Sequence, residues 1–95
     1  MLPQSVTEIC DSAFMQTFFS GDLILPADIK KIGVSAFHGC TGFQGNLLLP
    51  ENIDSIYGSA FVNCRFTGDL TIPSNIEYIG VNAFNNCKPP IKYPF

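Results

Sequence analysis

Charge is scarce in this 95-residue chain: Asp, Glu, Lys and Arg together make up 14% of it, against about a quarter in an average soluble domain. Hydrophobic residues make up 46%. That is the reverse of the weakly apolar, highly charged composition that leaves chains disordered. Basic residues are especially few. There are five Lys and Arg, Lys30–Lys31 is the only adjacent pair, and the net charge is −3 with a pI near 4.7. Such a chain has no face to neutralise phosphates, which argues against nucleic-acid binding. No apolar run approaches the roughly eighteen residues that a membrane span needs. The opening "MLPQSV" has neither a basic n-region nor an apolar h-region, so an export signal is expected outside this chain. Paired carboxylates, a nucleophile–base set and a phosphate-cradling loop are all missing, so no enzyme and no cofactor are expected. The length sets the last bound, one small domain with a modest core.

Repetition is abundant. Leu2–Pro3, Leu25–Pro26, Leu49–Pro50 and Ile72–Pro73 recur at intervals of 23, 24 and 23. Three residues after each proline stands Val6, Ile29, Ile53 or Ile76, and three further on Ile9, Ile32, Ile56 or Ile79. Ala-Phe follows at 13–14, 36–37, 60–61 and 83–84, and then Cys40, Cys64 or Cys87, with Thr17 in the first copy. The first three units close on an aromatic, a spacer and Gly-Asp/Asn-Leu, over Phe19–Leu23, Phe43–Leu47 and Phe66–Leu70. A fixed period of this length across many columns marks a solenoid, in which no unit buries its apolar face alone but stacked units share a continuous core.

Each column has a physical role. "GDLILP", "GNLLLP" and "GDLTIP" alternate an inward Leu with a variable residue, the period of a strand with one buried face. Proline then ends the strand because it has no amide to donate. The aliphatic pair three apart is expected to turn the chain along the far side. "SAFHGC", "SAFVNC" and "NAFNNC" are too short for an independent helix and read as one helical or 3₁₀ turn. Within that turn Ala permits close approach, Phe fills the core and Cys packs as a small hydrophobe. Gly21, Gly45 and Gly68 are expected to make the corner before the next strand.

At these residues the chain resembles the BspA-like class of leucine-rich repeats. "LPADIKKIGVSAFHGC" and "IPSNIEYIGVNAFNNC" match its repeat almost letter for letter. Tyr57 and Cys10 stand where its glycine is usual, and Thr17 where its cysteine is. The resemblance covers essentially the whole chain. It implies an extracellular or cell-surface setting and a role in adhesion or protein binding, and it brings no catalytic residues. The expected fold is an α/β solenoid, a right-handed leucine-rich repeat of about four 23–24-residue rungs, with a parallel sheet on one face and short helical turns opposite. The domain is single, 1–95, with repeats 2–24, 25–48, 49–71 and 72–95, and is expected to be a fragment of a longer array. Two functions follow. One is a non-catalytic interaction module with a protein or glycan ligand. The other is a structural repeat whose open ends stack copies into oligomers or filaments.

Cys40, Cys64 and Cys87 lie too far apart in sequence for a zinc site, whose ligands come in pairs about two to four residues apart. Stacked in one column, their Cβ atoms should lie about 5 Å apart, beyond the roughly 3.8 Å of a disulfide. They read as buried, reduced thiols. Cys64→Ser is expected to cost about 1–3 kcal/mol if its hydroxyl goes unmet. Cys10 sits outside that column without an obvious partner. His38, the only histidine, reads as a surface residue. Asp22, Asn46 and Asp69 form a corner column that fits turn chemistry better than calcium binding. The outward strand column is Ile24, Leu48, Thr71 and, from a fifth strand "IKYP", Lys92. It is the candidate interaction face.

Overall fold

The computed structural model describes residues 6–17, 20–68, 70–87 and 91–92, with the backbone alone for residues 44, 91 and 92. Leu2–Pro3, Phe19, Asp69, the "KPP" of 88–90 and Tyr93–Pro94, which the repeat columns assign to strand ends and corners, lie outside the described residues.

The isoleucine six residues after each proline builds the longest ladder. β1 (Glu8–Ile9), β3 (Lys31–Ile32), β5 (Ser55–Ile56) and β7 (Tyr78–Ile79) pair in that order, all parallel, with Ile9, Ile32, Ile56 and Ile79 in one register. Ile9, Ile32 and Ile56 point into the core while Glu8, Lys31 and Tyr78 face out, the alternation of a half-buried strand. The prolines before β3, β5 and β7 also make turns. The carbonyls of Pro26, Pro50 and Pro73 accept the amides of Ile29, Ile53 and Ile76 at 3.2–3.3 Å.

Among the described residues, the strands at or next to the Gly-Asp/Asn-Leu segments fall into two pairs. β2 (Gly21–Ile24) pairs with β4 (Phe43–Leu48), and β6 (Leu70–Thr71) pairs with β8 (Ile91–Lys92). The continuous four-stranded sheet therefore runs along the stretch that was expected only to turn the chain. The constant 23–24-residue spacing explains this, because it brings each isoleucine dyad into the same register on its neighbour. Across β2–β4 the register shifts between Gly21 and Leu23, so residues 44–46 stand opposite Asp22 as a bulge.

The helical turns are also corrected: no helix occurs among the described residues, and none is therefore long and apolar enough to cross a membrane. Each hexamer is a chain of three tight turns. In the second unit the amides of Ala36, His38 and Cys40 bond the carbonyls of Gly33, Ser35 and Phe37, three residues back. The alternate amides of Ser35, Phe37 and Gly39 point along the stack and bond Gly58, Ala60 and Val62 of the next unit at 2.7–3.0 Å. An α-helix would direct these amides along its own axis, and the stack would lose the bonds that join its units. The alternation requires left-handed backbone at two places per hexamer. These are Ser12, Ser35, Ser59 and Asn82, and then Gln16, Gly39, Asn63 and Asn86, all with φ between 56° and 72°. Glycine and asparagine are favoured there because a left-handed L-residue ordinarily costs about 1–2 kcal/mol.

The side chains of these turns fill the core. Ala36, Phe37, Cys40, Ala60, Phe61 and Cys64 are all buried. Phe14, Phe37, Phe61 and Phe84 stack in a row with ring centroids 5.3, 5.3 and 5.5 Å apart. A second row, Phe43 on Phe66 at 5.0 Å, meets the first edge-on. Each such ring pair adds about 0.5–1.5 kcal/mol beyond the area it buries.

Candidate functional site

The β2–β4 register sets Ile24 beside Leu48, and both are turned outward, 61% and 50% exposed. Their neighbours Leu23 and Leu47 point inward and are buried, so the strand period holds the two aliphatics on the surface. Thr71 is exposed, and the β6–β8 register puts Lys92 opposite it. The four candidates thus come together as two pairs. Between the pairs the Thr67 and Gly68 amides both bond the Gly45 carbonyl, at 3.0 and 3.4 Å, which ties β4 to the segment leading into β6.

At the corner below this column Asp22 Oδ1 accepts the Asn46 amide at 2.7 Å. That carboxylate therefore caps the next unit's backbone. A Cβ at Gly45 would collide with Asp22 Oδ1, and one at Gly68 with Asn46 Oδ1. These two glycines serve close approach. Of the three corner glycines read from the sequence, only Gly21 is left-handed, with φ 78°. Among the described residues no cluster of His, Cys, Asp and Glu is arranged to hold a metal ion.

All four cysteines are free, with Cys10 exposed, Cys40 and Cys64 buried and Cys87 half-buried. The column thiols each reach back one unit. Cys40 donates to Phe14 O at 3.0 Å, Cys64 to Phe37 O at 3.0 Å and Cys87 to Phe61 O at 2.8 Å. In the first copy the Thr17 hydroxyl donates to its own Phe14 O at 2.7 Å. A hydroxyl at residue 64 would therefore find Phe37 O, which corrects the expectation that it would go unmet. The side-chain hydrogen bond with Cys40, and then burial, push the Cys64 thiol well above the ordinary thiol range. Desolvation raises Cys87 to about 11. Both changes keep the thiols protonated and unreactive.

His38 is half-buried rather than on the surface, and its Nδ1 is buried with no hydrogen-bond partner among the described residues. The sequence reading passed over a second exposed group. Tyr78, 49% exposed, lies against Tyr57 with ring centroids 5.4 Å apart, and Val81 nearby in sequence is 78% exposed. Tyr57 breaking the glycine column was the available signal.

The BspA type Leucine rich repeat region matches residues 1–92, in six copies. The fold is similar to the crystal structure of a leucine-rich repeat protein from Bacteroides capillosus. The TM-score is 0.73 at 27% sequence identity, over 95% of this chain and 64% of that one. This chain thus spans less than two thirds of that protein's length. No curated protein matches it.

Proposed function

Because the chain belongs to the BspA-type leucine-rich repeat family, we propose that it is a non-catalytic interaction module of a cell-surface or secreted protein. In this reading residues 1–95 form one domain, a right-handed solenoid of four rungs at 2–24, 25–48, 49–71 and 72–95, within a longer array. The ligand, a protein or a glycan, docks on the column of Ile24, Leu48, Thr71 and Lys92. The observation that carries the reading is the exposed Ile24–Leu48 pair in adjacent register. Side by side on a strand face, two such residues offer apolar area that a partner gains by covering. The extracellular placement rests on the family alone.

The test is an array of extracellular-matrix proteins and surface glycans, probed with the chain and with the double variant Ile24→Glu/Leu48→Glu. Burial of each aliphatic is worth about 1.5–3 kcal/mol, so a true ligand should be lost by more than about tenfold in the variant. Matched circular dichroism spectra confirm that the fold survives. Binding unchanged in the variant would move the site off this column, and no binding to any array member would count against the module itself.

A further inference from the structure

Tyr78 faces out from the four-stranded ladder, with the small Ser55 in register beside it. Two residues after Ser55 stands Tyr57. Its amide bonds the Ile32 carbonyl at 2.9 Å, and the Gly80 amide bonds the Ile56 carbonyl at 2.7 Å, so Tyr57 lies between Gly33 and Gly80. Neither glycine has a side chain to meet the Tyr57 ring, which meets Tyr78 on the diagonal instead, with the ring planes tilted by 46°. The Asp54 carbonyl accepts the amides of both Glu77 and Tyr78, at 2.8 and 3.1 Å, so Asp54 and Glu77 are neighbours across the ladder. Like charges placed side by side on a sheet cost stability. The Ser55 hydroxyl donates to Asp54 Oδ1 at 2.8 Å and draws that carboxylate toward the position beside Tyr78. Lys30 and Lys31, one unit back, carry the opposite sign. Asp54, Ser55 and Tyr57 have ladder strands on both sides, and Tyr78 faces out through strand alternation as Glu8 and Lys31 do. The patch therefore lies on the flank of the stack and not on its ends.

We propose that Tyr57, Tyr78, Asp54 and Glu77 form a docking site for an exposed arginine of a protein partner, on a sheet separate from the Ile24–Leu48 pair. Charge complementarity and ring geometry name the occupant. A cation over the exposed Tyr78 ring gains from the negative face of the aromatic system. Lying between the two carboxylates, it also offsets their repulsion. A guanidinium suits this ground better than an ammonium, because its plane stacks on the ring while its N–H groups reach the carboxylates. The site takes one arginine and not a basic run, since Lys30 and Lys31 repel a second cation on their side. A neutral sugar would leave the carboxylates uncompensated, and a nucleic acid would be repelled by them. The proposal goes beyond the ligand column at Ile24 and Leu48 and does not rest on it.

An NMR amide-shift titration tests the proposal, with the capped peptide Gly-Gly-Arg-Gly-Gly and the same peptide carrying lysine or the uncharged citrulline in place of arginine. The arginine peptide should give saturable shifts at Asp54–Tyr57 and Glu77–Gly80, the lysine peptide weaker ones and the citrulline peptide the weakest. Added salt should weaken the arginine peptide's binding. Tyr78→Ala and Glu77→Gln change exposed positions, so the fold is retained, as matched amide spectra outside the patch show. Tyr78→Ala should weaken binding by about two- to fivefold, the worth of a cation–π contact at an exposed site, and Glu77→Gln should reduce both the affinity and its salt dependence. Ile24→Glu/Leu48→Glu should bind the peptide like the parent, which separates this site from the ligand column. No saturable shift at these residues at tens of millimolar arginine peptide would overturn the proposal. So would lysine or citrulline peptides that bind as tightly as arginine, or folded Tyr78→Ala and Glu77→Gln variants that both bind like the parent.

Discussion

At the scale of single residues the cysteine column is the clearest part of the account. Cys64 is fully buried, yet it acts as a donor as well as a filler, because its thiol serves the Phe37 carbonyl of the preceding unit. Serine keeps a donor in that place and alanine does not. Cys64→Ser should therefore cost on the order of 1 kcal/mol, and Cys64→Ala, which also leaves a small void, about 1–2 kcal/mol. Urea unfolding midpoints give the comparison, and a serine variant less stable than the alanine variant would contradict the donor role. Burial also gives the column a pH signature. Cys87 is raised from an ordinary 9.0 to about 11, so in that range the folded chain holds a proton that the unfolded chain has released. Its contribution to stability is complete below pH 9.0 and is lost as pH rises through 11. The stability difference between the parent and Cys87→Ser should shrink over that window. A difference that grows toward pH 11 would reverse the assigned sign.

At the scale of the element, the hexamers show what sequence patterning captures and what it misses. The burial of Ala36, Phe37 and Cys40 was legible, since identical letters at fixed spacing mark an inward face. The backbone was misread, because a short run with Ser or Asn at its head resembles a capped helical turn. The discriminating letters were the fifth of each hexamer, Gly39, Asn63 and Asn86, residue types suited to left-handed backbone. Hydrogen bonds between units decide the matter, and no single unit's sequence contains them. The same gap explains why the isoleucine dyads were read as a connection when they form the four-stranded ladder: two residues are too few to show a strand period. Asn63→Val places a β-branched residue at φ 62° and removes the acceptor of the Asn86 side chain. It should lower stability by about 1–2 kcal/mol, whereas Asn63→Gly should change it by well under that. Chemical denaturation of the two variants checks this, and equal losses would show that the left-handed backbone is not the constraint.

At the scale of the whole molecule, the units are held to one another by ladder pairs at the isoleucines, stacked phenylalanine rings, thiol-to-carbonyl bonds and the alternate amides of the hexamers. The outward placement of Ile24 and Leu48 on a strand was legible from the period of two, but the pairing of Ile24 with Leu48 and of Thr71 with Lys92 was not, because register is set between neighbouring units. The central claim is that alternate amides of each hexamer bond the next unit and so hold the stack together. Residue-resolved amide hydrogen exchange by NMR, in dilute protein, tests it most directly. The account predicts slow exchange at Phe37 and Phe61, whose acceptors are Ala60 and Ala83, and faster exchange at Phe84, the amide in the same column with no acceptor among the described residues. Phe37 and Phe61 exchanging as fast as an exposed loop amide such as Asp28 would contradict it.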